Sequence, residues 1–165
     1  MSRADRFQNK VVIVTGAAQG IGRGVALNVA AEGGSVLAVD RSELVNEVVA
    51  EITAAGGVAA PFQADLETYA GAQAVVAEAL ARFKRVDVLI NNVGGTMPNA
   101  LLSTSTKDLR DAFTFNVATA HALTIAAVPL MLEHAGGGSI INITSTMGRL
   151  SGRGFAAYGT AKAAL

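Results

Sequence analysis

The stretch VVIVTGAAQGIG, residues 11–22, decides the fold of this chain. Its apolar start predicts a buried strand, and the glycines that follow predict a tight turn into a helix. Four more short apolar runs occur at 36–39, 58–62, 88–90 and 140–143. Each is apolar on both faces, as expected of strands in a parallel sheet that helices cover on both sides.

Helical patterns separate these apolar runs. Apolar residues between 72 and 83 recur with the spacing of one helix face, and a longer helix is predicted from about Thr106 to Glu133, behind the capping segment 103–106. Alternation of strand and helix predicts a doubly wound α/β sheet of the Rossmann type with right-handed crossovers. The length of 165 residues fits a single domain, residues 1–165.

Composition excludes several classes of function. The formal net charge is zero and no run of Lys and Arg occurs, so we expect neither nucleic acid nor an anionic membrane as partner. No cysteine is present, which excludes disulfides and Cys-ligated metals, and His121 and His134 have no second ligand at metal spacing. A polar N-terminus without a signal peptide, and apolar runs too short to span a membrane, predict a cytoplasmic protein.

The loop after the first strand has the spacing Gly16-x-x-x-Gly20-x-Gly22, which predicts binding of a pyrophosphate at the N-terminus of the next helix. Asp40 lies eighteen residues after Gly22 and ends the second strand. A carboxylate there would accept hydrogen bonds from ribose hydroxyls and repel a 2′-phosphate, which favours NAD over NADP. Arg41 leaves NADP open, because a guanidinium pairs well with a phosphate.

Tyr158 and Lys162 have the i, i+4 spacing that places two side chains on one face of a helix. A free tyrosine is a poor base at neutral pH, but a neighbouring ammonium and an oxidised nicotinamide ring would both favour the phenolate. Ser145 lies just past the fifth strand, at the carboxyl end of a parallel strand, where ligands bind in open α/β sheets. Thr144 before it is interpreted as a strand-end residue only.

The motifs together resemble those of the short-chain dehydrogenase/reductase family. They are Thr15 to Gly22, Asn91-Asn92-Val93-Gly94, Ser145 thirteen residues before Tyr158, and Tyr158-x-x-x-Lys162, with Asp65 and Asn116 matching as well. The resemblance implies that Tyr158 is the acid/base and that Lys162 also holds the nicotinamide ribose. It further implies that Ser145 orients the substrate and that Asn116 relays protons from Lys162 to solvent through water.

The same resemblance implies the cofactor contacts. Asp65 would bind the adenine edge with Leu66 beside it, and Asn91 and Gly94 would form the wall and floor of the site. The full set of expected contacts is Gly16, Gln19, Gly20, Ile21, Gly22, Asp40, Arg41, Asp65, Leu66, Asn92, Val93, Gly94, Tyr158 and Lys162.

The expected activity is hydride transfer between NAD(H) and a secondary alcohol or ketone. Residues 38–44 and 91–96 are similar to those of bacterial cis-dihydrodiol and dihydroxycyclohexadiene carboxylate dehydrogenases, so a cyclic cis-diol is one candidate substrate. Two alternatives stay open: an NADP-dependent 3-oxoacyl-thioester reductase, and a non-catalytic nucleotide-binding fragment. The family resemblance also implies a homo-oligomer, a dimer or tetramer.

The stretch 159–165 has a helical pattern without a Gly, Pro or cap to end it. We therefore expect the chain to be truncated within the helix that carries Tyr158 and Lys162. In that case the C-terminal part of the fold, including the segment that covers the substrate, is missing.

Overall fold

A computed structural model describes residues 5–150 and 152–165. It contains a five-stranded sheet in the order β3-β2-β1-β4-β5, in which every neighbouring pair is parallel. The strands are β1 Val11–Thr15, β2 Ser35–Asp40, β3 Val58–Gln63, β4 Val88–Asn91 and β5 Ser139–Asn142. The strand order reverses between β1 and β4, so the carboxyl ends of these two strands flank a crevice.

Helices lie on both faces of the sheet. They are α1 Gly20–Ala31, α2 Val45–Ala54, α3 Tyr69–Phe83, α4 Thr106–Phe113, α5 Thr119–Ala135 and α6 Ala156–Ala164. Side chains along β1 alternate between the two faces: Ile13 packs in a core with α3 and α5, whereas Val12 and Val14 pack in a core with α1 and α2. The predicted doubly wound, Rossmann-type fold is confirmed.

The edges of the sheet depart from the prediction that every strand is buried on both faces. In β5, Ile140 is 38% and Ile141 46% exposed, and all four residues of the strand are exposed. The prediction is wrong for this strand because, among the described residues, β5 pairs with β4 alone and so lies at an edge of the sheet. In β3, at the other edge, only Ala60 is fully buried.

The long predicted helix extends over Thr106–Ala135 but is not a uniform α-helix. It consists of α4, a π-turn at Thr114–Ala118 and α5, so the predicted single helix to Glu133 needs correction. A capping box begins it: the Ser105 hydroxyl accepts from the Asp108 N–H, and the Asp108 carboxylate accepts from the Ser105 N–H. Gly136 ends it in the left-handed conformation.

This helix is also, among the described residues, the one segment that is long and apolar enough to cross a membrane by length and composition. The expectation that apolar segments are too short to do so is therefore wrong for it. Core helices of soluble proteins pass the same test, and Leu123, Ala127 and Met131 are buried in the core beside the sheet.

A buried carboxylate joins three strands at the amino ends of the sheet. Asp87 is 4% exposed, and its carboxylate accepts hydrogen bonds from the Val11 N–H at 2.9 Å, the Arg85 guanidinium at 2.7 and 2.8 Å and the Lys10 ammonium at 3.2 Å. Its backbone binds Val11 and Ser139, which begin β1 and β5. Burial alone would raise the pKa of Asp87, but these hydrogen bonds hold it below its ordinary value.

We expect Asp87→Asn to lower the free energy of unfolding at pH 7 by about 1–3 kcal/mol, because the variant loses charge-assisted hydrogen bonds to three groups. A carboxyl whose pKa is depressed in the folded state stabilises above its unfolded pKa, and that stability is lost as pH falls through the folded pKa. Urea denaturation between pH 2 and 7 should therefore show a shallower acid decline in the variant. Asp111→Asn, at a 59% exposed side chain, is the control, with an expected change of a few tenths of a kcal/mol. An unchanged acid decline in Asp87→Asn would contradict the assignment.

Candidate active site

A cavity of about 370 Å³ opens where the strand order reverses, at the carboxyl ends of β1, β2 and β4. All of the expected cofactor contacts except Gly20 and Gly22 line it. They come from the loop after β1, the end of β2, the segments after β3 and β4, and α6; they are Gly16, Gln19, Ile21, Asp40, Arg41, Asp65, Leu66, Asn92, Val93, Gly94, Tyr158 and Lys162.

Two glycines of the loop are required for different steric reasons. Gly16 has φ +64°, a left-handed conformation that side chains disfavour. A Cβ on Gly22 would lie 2.0 Å from the Gly16 carbonyl oxygen, so a side chain there is incompatible with the loop. The close contact at Gly22 is therefore between α1 and the loop itself.

The start of α1 fits an anionic group. Among the described residues, no side chain caps this helix, because Gln19 at the N-cap position makes no capping hydrogen bond and the first turn contains no acid. The first backbone N–H groups of a helix are unsatisfied within the helix and carry its positive dipole end. A pyrophosphate held against the loop would satisfy them, as phosphates do at other helix N-termini.

Thr15 and Asn92 hold the loop in place. The Thr15 hydroxyl donates to the Ile90 carbonyl at 3.2 Å and accepts from the N–H groups of Asn92 and Val93 at 2.9 and 3.1 Å. The Asn92 side-chain amide donates to the carbonyls of Thr15 at 2.9 Å and Gly16 at 3.2 Å. Sequence reasoning missed this role of Thr15, although a hydroxyl residue between an apolar strand and the first glycine was a visible signal.

Asn91 does not form a wall of the cavity, contrary to expectation. It is 3% exposed, and its amide donates to the Asn142 side-chain oxygen at 2.9 Å, with Thr124 at 3.4 Å. The reason is the alternation of side chains along an extended chain, which points Asn91 and Asn92 in opposite directions. Asn92 therefore faces the loop, and Asn91 joins β4 to β5 and α5.

Asp40 is fixed at the mouth of the cavity. Its carboxylate accepts from the Ala18 N–H and the Ser42 N–H, each at 3.0 Å. These contacts aim the carboxylate across the loop and leave further lone pairs for hydroxyl donors. The exposed Arg41 lies beside it on the cavity wall, and the Gln63 side chain donates to the Arg41 carbonyl at 2.8 Å.

Asp65 and Leu66 line the cavity from the segment that follows β3. The Asp65 carboxylate accepts from the Glu67 N–H at 3.0 Å, which orients it within the turn before α3. Leu66 is only 5% exposed and belongs to the core on the α3 and α5 side. The predicted contact of Asp65 with the adenine edge, with the apolar Leu66 beside it, stays a prediction.

Tyr158 and Lys162 lie at the other end of the cavity. The Lys162 ammonium is 5.9 Å from the centroid of the Tyr158 ring and donates to the Ile143 carbonyl at 2.9 Å. Burial lowers the pKa of Lys162, and the residue is 5% exposed. A cation with one backbone acceptor in this position can still donate to a ligand and stabilise negative charge on the phenol oxygen.

Asn116 lies in the π-turn, completely buried. Its amide donates to the carbonyls of Ala112 at 2.9 Å and Gly95 at 3.1 Å, and its oxygen accepts from the Gly95 N–H at 3.0 Å. A Cβ on Gly94 would lie 2.6 Å from the Asn116 oxygen and 2.7 Å from the Lys162 ammonium, so the missing side chain keeps these two groups adjacent. Asn116 does not line the cavity but is next to Lys162, as a relay requires.

Ser145 lies near this end but outside the lining of the cavity, whereas its neighbour Thr144 lines it. The Ser145 hydroxyl accepts from the Met147 N–H at 3.2 Å and caps a short turn, Thr146–Gly148. That turn packs against α6, since a Cβ on Gly159 would lie 2.7 Å from the Met147 carbonyl oxygen. Thr144 lines the cavity just beyond the end of β5, and the role of Ser145 stays a prediction.

Comparison with known sequences decides the family. The sequence model of the short chain dehydrogenases matches residues 10–165. This chain belongs to the short-chain dehydrogenase family. The predicted resemblance is thereby confirmed, and the fold class agrees with it.

Named relatives are similar over most of the chain. An uncharacterised oxidoreductase of Mycobacterium tuberculosis is 58% identical over 161 residues, which is 97% of this chain and 61% of that protein. A 1,6-dihydroxycyclohexa-2,4-diene-1-carboxylate dehydrogenase of Acinetobacter baylyi is 47% identical over 146 residues, 88% of this chain and 56% of that protein.

A solved structure is similar as well. A 7α-hydroxysteroid dehydrogenase complexed with NADH and 7-oxo glycochenodeoxycholic acid superposes with a TM-score of 0.92 at 32% identity, over 98% of this chain and 63% of that one. This short-chain dehydrogenase chain therefore spans about three-fifths of the length of the relatives that it matches.

We expect Gly22→Ala to weaken dinucleotide binding by about tenfold or more and to lower the free energy of unfolding by about 1–3 kcal/mol, because the added methyl group forces the loop apart. The matched control is Gly24→Ala in the same helix, where an added Cβ meets nothing within 4 Å. The free energy of unfolding of the control should rise by about 0.5–1 kcal/mol, and its affinity for NADH should not change. Equal NADH dissociation constants for the two variants, measured by NADH fluorescence, would contradict the steric argument.

Proposed function

We propose that this chain carries the cofactor-binding and catalytic residues of an oxidoreductase that transfers a hydride between NAD(H) and a secondary alcohol or ketone. The observation that carries the proposal is one cavity that brings the glycine loop and Asp40 together with the Tyr158–Lys162 pair. The two parts are more than a hundred residues apart in sequence.

A dinucleotide would lie along the cavity. Its pyrophosphate would meet the loop and the start of α1, its adenosine end would face Asp40, Asp65 and Leu66, and its nicotinamide end would lie near Gly94, Tyr158 and Lys162. When bound, the nicotinamide ring supplies or accepts the hydride.

Tyr158 would exchange the proton. During oxidation, the phenol oxygen of Tyr158 would accept the proton of the alcohol while the hydride leaves the adjacent carbon, and during reduction the same oxygen would donate it. The Lys162 ammonium would stabilise the phenolate. Asn116, adjacent to Lys162, would pass protons onward through water, and Ser145 would hydrogen-bond the substrate oxygen.

Asp40 favours NAD over NADP. Its carboxylate is anchored by two backbone N–H groups, so it cannot turn away from a 2′-phosphate without losing both hydrogen bonds. A second candidate, an NADP-dependent 3-oxoacyl-thioester reductase, is favoured by Arg41 on the same wall. A non-catalytic nucleotide-binding fragment is the alternative of a different class, and the turnover tests below distinguish it.

A cyclic cis-diol is one candidate substrate, by the likeness to the Acinetobacter baylyi dehydrogenase. We also propose a cytoplasmic homo-oligomer. Exposed apolar side chains along the helix of residues 106–135 support association with a second copy; they are Leu109, Phe113, Ile125, Val128 and Leu132.

We expect Tyr158→Phe to lower kcat by about 10²–10⁴-fold while NADH binding persists, because only the hydroxyl group that exchanges the proton is removed. The chain offers one matched control, Tyr69→Phe, at a 51% exposed tyrosine that begins α3. The control should retain activity within about twofold. Turnover of neutral secondary alcohols with NAD⁺ and NADH fluorescence measure the two effects. Full activity of Tyr158→Phe would refute the assigned role.

We expect Asp40→Asn to lower the ratio of kcat/KM with NAD⁺ to kcat/KM with NADP⁺ by about tenfold. The reason is that the variant lacks the negative charge that repels the 2′-phosphate. The control Glu43→Gln removes one nearby charge from an exposed side chain outside the cavity lining and should leave the ratio as it was. A wild-type preference for NADP⁺ would argue against NAD as the cofactor, and an unchanged ratio in Asp40→Asn would contradict the role assigned to Asp40.

A further inference from the structure

A second cavity of about 630 Å³ adjoins the first. The two cavities share Glu67, Phe115 and Tyr158 in their walls. Since the dinucleotide would fill the first cavity, the second is the open space on the other side of the Tyr158 phenol. An alcohol that exchanges its proton with Tyr158 would extend into this space.

The walls of the second cavity are mostly neutral. Met97, Pro98, Ala112, Phe115 and Ala157 contribute apolar surface, and Met97 is 87% exposed toward solvent. Such a surface is suited to the carbon skeleton of a substrate, and a few polar groups would orient it.

The charged groups of the cavity are predominantly acidic. Glu67, Asp108 and Asp111 contribute carboxylates, and of the described residues that line the cavity Lys107 is the single cation. The Lys107 ammonium lies 2.5 Å from the Asp111 carboxylate, four residues further along α4. This hydrogen bond raises the pKa of the Lys107 ammonium.

The other two carboxylates of this cavity, among the described residues, are those of Asp108 and Glu67. Asp108 accepts from the backbone and the hydroxyl of Ser105, and is therefore held ionised by the capping box. Glu67 makes no ion pair with any residue in the described ranges that line this cavity. An anionic substituent here would face carboxylates and a lysine that is already paired.

We infer that this cavity selects neutral substrates over anionic ones, and that Asp111 is a specificity-determining residue because it neutralises Lys107. The inference rests on the proposed function, since it assigns the substrate class of that site. It separates neutral cyclic or aliphatic alcohols from carboxylated alcohols and from phosphate-bearing thioesters.

The experiment compares two forms of one skeleton in the complete natural protein with NAD⁺. The probes are methyl 3-hydroxycyclohexane-1-carboxylate and the corresponding free acid, and a straight-chain 3-hydroxy ester with its acid as the second pair. The skeleton that turns over faster is used. We expect kcat/KM for the ester to exceed that for the acid by about fivefold or more, and the difference to shrink as ionic strength rises.

Variants of the ion pair test the role of Asp111. Asp111→Asn leaves the Lys107 ammonium free to face the cavity, so the acid-to-ester ratio of kcat/KM should rise about two- to fivefold. The double variant Lys107→Gln, Asp111→Asn should lose that rise. The matched control is Glu78→Gln, which breaks another i, i+4 ion pair at 2.5 Å, with Arg82 on α3, outside this cavity, and should leave the ratio unchanged.

The outcomes distinguish this inference from the proposed function. Acid turnover equal to or faster than ester turnover overturns the inference and leaves the hydride-transfer proposal intact. A ratio in Asp111→Asn that stays at the wild-type value overturns the role of Asp111. Absence of turnover of every secondary alcohol with both NAD⁺ and NADP⁺ overturns the proposed function, and the inference with it.

Discussion

The hydrogen bonds between Thr15 and the segment that follows β4 hold the two central strands together where the strand order reverses. At this point the chain leaves β1 and enters the glycine loop, and the Asn92 amide donates to the Thr15 and Gly16 carbonyls. Because the loop is fixed, Gly22 and the start of α1 come within van der Waals contact of Gly16. The position of the cavity, and of Asp40 across it, depends on this arrangement.

The catalytic end depends on a second close approach. The π-turn at Thr114–Ala118 interrupts the long helix and directs Asn116 toward the backbone of Gly95, and Gly94 has no side chain to separate Asn116 from Lys162. π-turns are rare and often occur at functional sites, since they change the direction of a side chain at the cost of regular hydrogen bonding. A long helix and a loop thereby place a buried amide beside a buried ammonium.

The charged side chains at the two ends of the sheet have different kinds of hydrogen-bond partner. At the amino ends, the Asp87 carboxylate accepts hydrogen bonds from Arg85, Lys10 and a backbone N–H group, and these bonds join the strands. At the carboxyl ends, Lys162 has a backbone carbonyl as its acceptor, and Asp40 is oriented by backbone N–H groups. Groups oriented by neutral partners keep their charge available for a ligand, which is the physical distinction between a structural and a binding role.

The sequence by itself determined the fold class, because apolar runs that alternate with helical periodicity admit few solutions other than a doubly wound sheet. It also determined the order of the motifs, and with it the family and most of the residues that line the cavity between Gly16 and Lys162. Only the tertiary structure decided the exposure of β5, the opposite directions of Asn91 and Asn92, the π-turn around Asn116, and the entry of Thr144 rather than Ser145 into the cavity lining. These features depend on which neighbours a strand has and on how closely two backbones approach, and neither quantity is written in local residue patterns. The pairing of Lys107 with Asp111 has helical spacing in the sequence, but its position on a cavity wall beside Tyr158 arises only when α4, α6 and the loop after β4 pack together.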